Sequence, residues 1–326
     1  MLLSTGVAQA APAHDAAGAV PVAVPAGSKC DRTKFRIILD VGHTAESYGA
    51  MSARNVPEFE YNLNLGKRID ERLKVDGFTE TVLLVTEGKA RPSLAARVAR
   101  ANRRGADLFV SIHHDSVPGI YVEKWEFEGK KGAFNDMFGG YSVFVSKQNP
   151  HYAESLRFAR LLGNQMAAKD LQFARQYDQW FMGKFQRELL DIEAGVYRYD
   201  QLIVLKNTVM PAVLLESGSI INRDEELVMA SDEHKNKVAA AMSSAALEYC
   251  ATRGPAPPPV TTSHPKPSKP VHRLAPPRKP KLGFDTFADC LAYSQPNDTL
   301  FVKRYPTYPD RVYNEAYLPF SQDKIN

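Results

Sequence analysis

Six side chains in this sequence have the chemistry to hold a metal ion and to move a proton beside it: His43, Glu58, Glu60, His113, His114 and Glu216. Imidazole nitrogens and carboxylate oxygens bind zinc, and a catalytic zinc usually keeps three protein ligands with one position open to water. Two histidines and a glutamate meet that requirement. A second carboxylate that does not bind the ion can take the proton of a water attacking a carbonyl carbon. Glu216 suits this second role: it ends the apolar run "AVLLE" (212 to 216), and an acid there makes little structural sense unless it faces a site. A lone loop histidine or strand-end glutamate says little, but several at one sheet edge say more.

The elements that would bring them together follow from apolar periodicity. Phe35 to Leu39 reads as a strand that leads into His43. From Pro57, the spacing of Leu65, Ile69 and Leu73 is helical, with Gly77 as its stop. Thr81 to Thr86 reads as a second strand, Ser93 as the cap of a second helix bearing Leu94, Val98 and Ala101, and "DLFVSIHH" as a third strand. "YSVFVS" (141 to 146), "QLIVL" (201 to 205) and "AVLLE" read as further strands, with helices at 152 to 168 and 233 to 249. The alternation predicts an α/β sandwich with a largely parallel sheet between helices. Functional groups in such sheets gather at the carboxyl ends of the strands, where His43, His113, His114 and Glu216 fall. Glu58 opens the first helix and can reach the same edge. Glu60, two residues on, points about 200° around the helix, so only one of the two can face the ion.

The chain has 326 residues, 44% of them hydrophobic, enough for one substantial core. It has no apolar run of membrane-spanning length, which argues against a transmembrane segment, and nothing in it points to a nucleic-acid partner. Residues 1–30 begin with a short apolar run and small residues around Ala8 and Ala10, the pattern of a truncated signal peptide and leader that implies export; His14 falls within it. Residues 31–250 are expected to form the catalytic domain, and Cys30 and Cys250 at its ends are candidates for a disulfide staple. A proline-dominated linker (251–282) follows, with seven Lys or Arg from residue 253 on and no acid, and then a short aromatic tail (283–326). His151, His234, His264 and His272 read as residues at a helix start, on a helix surface and in the linker.

The blocks "IILDVGH", "PEFEYNLNLGKRIDERL", "SLAARVARANRRGADLFVSIHHDS", "GYSVFV" and "VLKNTVMPAVLLESGSIINRDEE" occur in one order between residue 35 and about 249. Together they resemble the zinc-dependent N-acetylmuramoyl-L-alanine amidases of the amidase-3 type, peptidoglycan hydrolases with a six-stranded α/β fold. The resemblance implies a three-layer sandwich, one zinc ion held by His43, Glu58 and His113, and Glu216 as the catalytic glutamate. It leaves Glu60 as a helix residue and gives His114 a supporting or substrate role. It also implies a peptidoglycan substrate, a periplasmic or otherwise exported location, and room for an activator protein. In such amidases an activated water cuts the amide joining N-acetylmuramic acid to L-alanine.

The sequence departs from the family at two places. Val41, Thr44 and Ala45 stand where a proline and two glycines are common, which changes loop stiffness but removes no ligand. Ser217, Gly218 and Ser219 follow Glu216 where Gly-Phe is usual, which touches the substrate pocket. Residues 117 to 139 are long for their connection and read either as a flap over the cleft or as a surface excursion packed by Trp125, Phe127 and Phe134. Residues 170 to 200 have room for a self-blocking helix with Glu188 or Glu193 as its plug, although helix packing explains the same residues. A zinc peptidase of the stem peptide and an inactive peptidoglycan-binding protein are the alternative functions.

Overall fold

Alternation along the strands decides which side of the sheet each residue serves. In the first strand, β1 (Ile37–Val41), Ile37 and Leu39 join one apolar cluster and Ile38 joins the other. In β3 (Leu108–Asp115), Leu108, Val110 and Ile112 belong to the first cluster and Phe109 to the second. Each cluster is a layer of helices packed on one face of the sheet. The computed structural model describes residues 30–253; the expected leader, linker and tail lie outside the described residues, apart from the few that border the domain.

After β1 come α1 (Glu58–Val75), β2 (Val82–Leu84), α2 (Ala90–Arg104) and β3. A hairpin of β4 (Glu123–Phe127) and β5 (Lys130–Phe134) precedes β6 (Ser142–Val145) and α3 (Tyr152–Ala167). The order continues with β7 (Glu188–Asp191), β8 (Val196–Arg198), α4 (Ile203–Lys206), β9 (Ala212–Ser219), α5 (Glu225–Ala230) and α6 (Asp232–Thr252). The sheet has seven strands in the order β2-β1-β3-β9-β6-β8-β7. It is parallel except where β6 meets β9 and β7 meets β8. Leu65, Ile69 and Leu73 of α1, Phe158 and Leu162 of α3 and Val238 and Tyr249 of α6 fill one layer. Ala101 of α2 and Val204 and Leu205 of α4 fill the other.

The three-layer α/β sandwich is the expected fold, but the sheet is mixed and has seven strands where six were expected. The expected strand "QLIVL" is instead a loop entering the short helix α4. A five-residue apolar run has too little length for periodicity to separate a buried strand from a buried helical turn. The strand beside β6 lies earlier, at β8. Segment 170 to 200 contains no α-helix: it carries a 3₁₀ turn at Trp180–Phe185 and then β7 and β8. Glu188, conceived as a plug, is tied to Lys147 and Arg198, and Glu193 is exposed. Ser93 is not a cap. The helix starts earlier, at Ala90, and the Ser93 hydroxyl donates back to the Ala90 carbonyl within the first turn.

Residues 117 to 139 form the β4-β5 hairpin. Trp125 stacks on Phe127 and meets Phe134 edge-on, with the guanidinium of Arg54 over Trp125 and that of Arg223 over Phe134. This is the aromatic packing expected of a surface excursion. Cys30 and Cys250 are joined by a disulfide, their Cα atoms 5.4 Å apart across 220 residues of sequence.

Candidate metal and catalytic site

β1 delivers His43 two residues beyond its end, in a turn where the backbone takes a left-handed conformation, φ 66°. Such a conformation is uncommon outside glycine and must be held in place. Buried Arg97 of α2 does so, donating to the His43 carbonyl oxygen and to Thr86 Oγ1. The same guanidinium lies 3.6 Å from the carboxylate of fully buried Asp40, which also accepts from Ser111 Oγ at 2.8 Å. Burial pushes the Asp40 carboxyl up to about 6, against the pull of Arg97. Thr44 secures the far side of the turn, donating to the Gly88 carbonyl at 2.7 Å. Side-chain bonds thus hold the turn where the family's stiffening proline is missing.

Glu58, in the first turn of α1, meets both histidines. His43 Nε2 lies 3.0 Å from its Oε2, and His113 Nδ1 lies 2.9 Å from its Oε1. One donor atom from each of His43, Glu58 and His113 falls within 4.8 Å of the others. Burial raises the Glu58 carboxyl, but the charge on His43 and the hydrogen bonds of both histidines outweigh it and hold it well below the usual carboxylate range. Burial also lowers the His113 imidazole despite Glu58. Neighbouring ligands of a tetrahedral zinc stand about 3.3 Å apart, so two imidazoles and a carboxylate this close fit such an ion. Two glycines make room for the cluster. A Cβ on Gly42 would lie 2.4 Å from the His113 ring, and one on Gly49, at φ +79°, would lie 2.4 Å from Glu58 Oε2.

A second layer orients Glu58. The Ala50 amide donates to Oε2 at 3.0 Å, and Asn62, one turn further along α1, donates its Nδ2 to Oε1 and to the Gly42 carbonyl, each at 3.2 Å. With its nitrogen committed, Asn62 presents its Oδ1 to His114 Nδ1, 2.8 Å away, so that nitrogen carries the hydrogen. Burial pushes His114 down to about 3, leaving it neutral. Sheet alternation turns His113 and His114 to opposite faces: the first meets the ligand cluster, the second the α1 side.

Glu216 lies in register with His113 across the β3–β9 pair. Its Oε2 is buried without a hydrogen-bond partner among the described residues, which is unusual for a structural carboxylate. Burial raises its pKa well above the ordinary value, and the charges of Asp115 and Glu58 raise it further. Asp115 follows His114, accepts from the Tyr177 hydroxyl, and is pushed up to about 7 by burial. Glu60 is an exposed residue of α1, outside the donor cluster. His151 precedes α3, also as expected. His234 is not on a helix surface: it is 6% exposed and shares a hydrogen bond with Ser217 at 3.2 Å.

Arg97, Asn62, Asp40, Asp115 and Tyr177 were not singled out from the sequence. Asn62 had a signal, since its spacing of four from Glu58 puts both on one helix face. Tyr177 had none, because only the path of the long segment after α3 brings it to Asp115.

The sequence profile of the family described as N-acetylmuramoyl-L-alanine amidase, Amidase_3, matches residues 37–248. The chain belongs to this family. All members of the cluster lie inside the matched span. Among proteins it is similar to are N-acetylmuramoyl-L-alanine amidase AmiC of Neisseria meningitidis, 26% identical over 231 residues that cover 66% of this chain and 53% of that protein. AmiC of Escherichia coli is 25% identical over 240 residues, with coverage of 66% and 52%. The chain thus spans about half the length of these curated relatives. The fold is similar to that of the N-acetylmuramyl-L-alanine amidase Ami1 from Mycobacterium smegmatis, with a TM-score of 0.52 at 20% identity, covering 68% of this chain and 98% of that one. An amidase of Clostridium difficile 630 gives a TM-score of 0.51 at 18% identity, with the same coverage. Members of this family are generally metal-dependent, and the donor cluster is consistent with that. No helix among the described residues is long and apolar enough to cross a membrane.

Proposed function

We propose that this chain is a zinc-dependent N-acetylmuramoyl-L-alanine amidase that cuts the amide between N-acetylmuramic acid and L-alanine in peptidoglycan. The observation that carries the reading is the pairing of a compact two-histidine, one-glutamate donor set with an adjacent buried carboxylate that has an unpartnered oxygen. His43, Glu58 and His113 would hold the ion. When bound, zinc supplies Lewis acidity at the carbonyl to be cut and lowers the pKa of a water. Glu216 takes the proton of the attacking water and hands it to the amide nitrogen as that nitrogen leaves. Its buried Oε2, without a partner among the described residues, is available to accept that proton and return it. Asn62 and the Ala50 amide keep the Glu58 carboxylate turned toward the histidines. His114 supports Asn62 and takes no direct part.

A disulfide belongs to an oxidising compartment, which supports a periplasmic or otherwise exported location. The test is release of soluble stem peptide from purified peptidoglycan by the full chain, with and without a chelator and after zinc is restored. Activity lost to the chelator and regained with zinc is the expected result. Glu216→Gln should retain zinc at the wild-type stoichiometry and lose turnover by at least about a hundredfold, because it removes a base but no ligand. Full activity in that variant, or indifference to the chelator, would contradict the reading.

A further inference from the structure

At the β2 edge of the sheet a cleft of about 320 Å³ lies between β1, β2 and α2, and none of its lining residues belongs to the donor cluster. Ile38, Val82 and Leu84 form an apolar floor, and Arg100, Arg103 and Arg104 form the rim. All three arginines are exposed, and among the described residues none of their side chains has a hydrogen-bond or ion-pair partner. The helix that carries them, "ARPSLAARVARANRR", has no acid. Among the described residues β2 pairs with β1 alone, which makes it an edge strand of the sheet.

We propose that this edge is a docking site for an extended acidic segment of a partner protein, which adds as a strand to β2 and sets alternate carboxylates against the arginines. The dimensions agree. Arg100 to Arg104 rise about 6 Å along the helix axis, and alternate side chains of an added strand stand about 6.6 Å apart. A strand beside β2 sits about 4.8 Å beyond it, over the mouth of the cleft, and turns every second side chain toward α2. Acidic side chains there lay their methylenes on the apolar floor and their oxygens on the guanidinium rim, where bidentate pairing is available. Main-chain bonds supply affinity and the arginines supply selectivity, the division of labour of strand-addition recognition. A bare phosphate polymer would use the same charges but not the strand edge.

The test uses the full chain and a short fluorescein-labelled peptide of alternating Glu and Thr, followed by anisotropy. Saturable binding is expected, weakened about tenfold or more by Arg100→Glu with Arg103→Glu, two exposed changes that leave peptidoglycan hydrolysis and the melting temperature unchanged. Methylating every backbone nitrogen of the peptide should abolish binding, since it removes the donors of both strand edges. Absence of binding, binding that ignores the double substitution, or equal binding by the methylated peptide or by polyphosphate would overturn the proposal.

Discussion

Glu58 is the residue on which the candidate site turns, because one carboxylate meets both histidines and is itself held by Asn62 and the Ala50 amide. A ligand that must keep both oxygens aimed depends on what holds it, and loss of such outer support typically weakens metal binding by about 10 to 100-fold. Asn62→Ala should therefore lower zinc affinity by that factor in a chelator competition while the far-ultraviolet spectrum stays native. Unchanged affinity would show that Asn62 only fills space. His43, His113 and Glu216 were legible in the sequence because histidine and glutamate at strand ends stand out, whereas the choice of Glu58 over Glu60 came from the family resemblance. Asn62 and Arg97 were not, since an asparagine on a helix and an arginine in a basic helix look ordinary until burial and partners are known.

Elements place these residues through sheet alternation, which sends His113 and Glu216 to one face and His114 and Ser217 to the other. Behind the second pair, α6 brings in His234, whose imidazole burial pushes down to about 4 from the ordinary 6.5. The unfolded chain takes up a proton near pH 6.5 that the folded chain refuses until about pH 4. The contribution of neutral His234 is thus fully present above pH 6.5 and is lost as pH falls through that window, by about 3 kcal/mol at most. Urea unfolding at pH 7 and pH 4.5 should show a smaller loss of stability in His234→Gln than in the wild type. Equal losses would mean that His234 is solvated in the folded state. The sequence put this histidine on a helix surface because α6 is apolar or small around most of its circumference and offers no clear stripe to mark the buried side. The same ambiguity of short apolar runs hid β8 and made a strand of α4.

For the whole molecule, the α/β alternation was readable because its long helices and strands repeat their periods several times, whereas the mixed pairing of β6 with β9 depends on where a connection crosses. The disulfide joins the two ends of the described domain, and a bridge over so long a loop stabilises chiefly by restricting the unfolded chain. Replacing Cys30 and Cys250 by serine should lower unfolding free energy by about 2–4 kcal/mol, seen as a lower urea midpoint with an intact donor cluster. No change on replacement would mean that the bridge does not form in solution. The central claim is that this fold positions its donor set and Glu216 to cut one particular amide. Its most direct test is end-group analysis of peptidoglycan digested by the full chain with zinc. The account predicts new amino-terminal L-alanine on free stem peptides and glycan strands whose muramic acid keeps its lactyl group. New amino termini within the stem, or no soluble product, would contradict it.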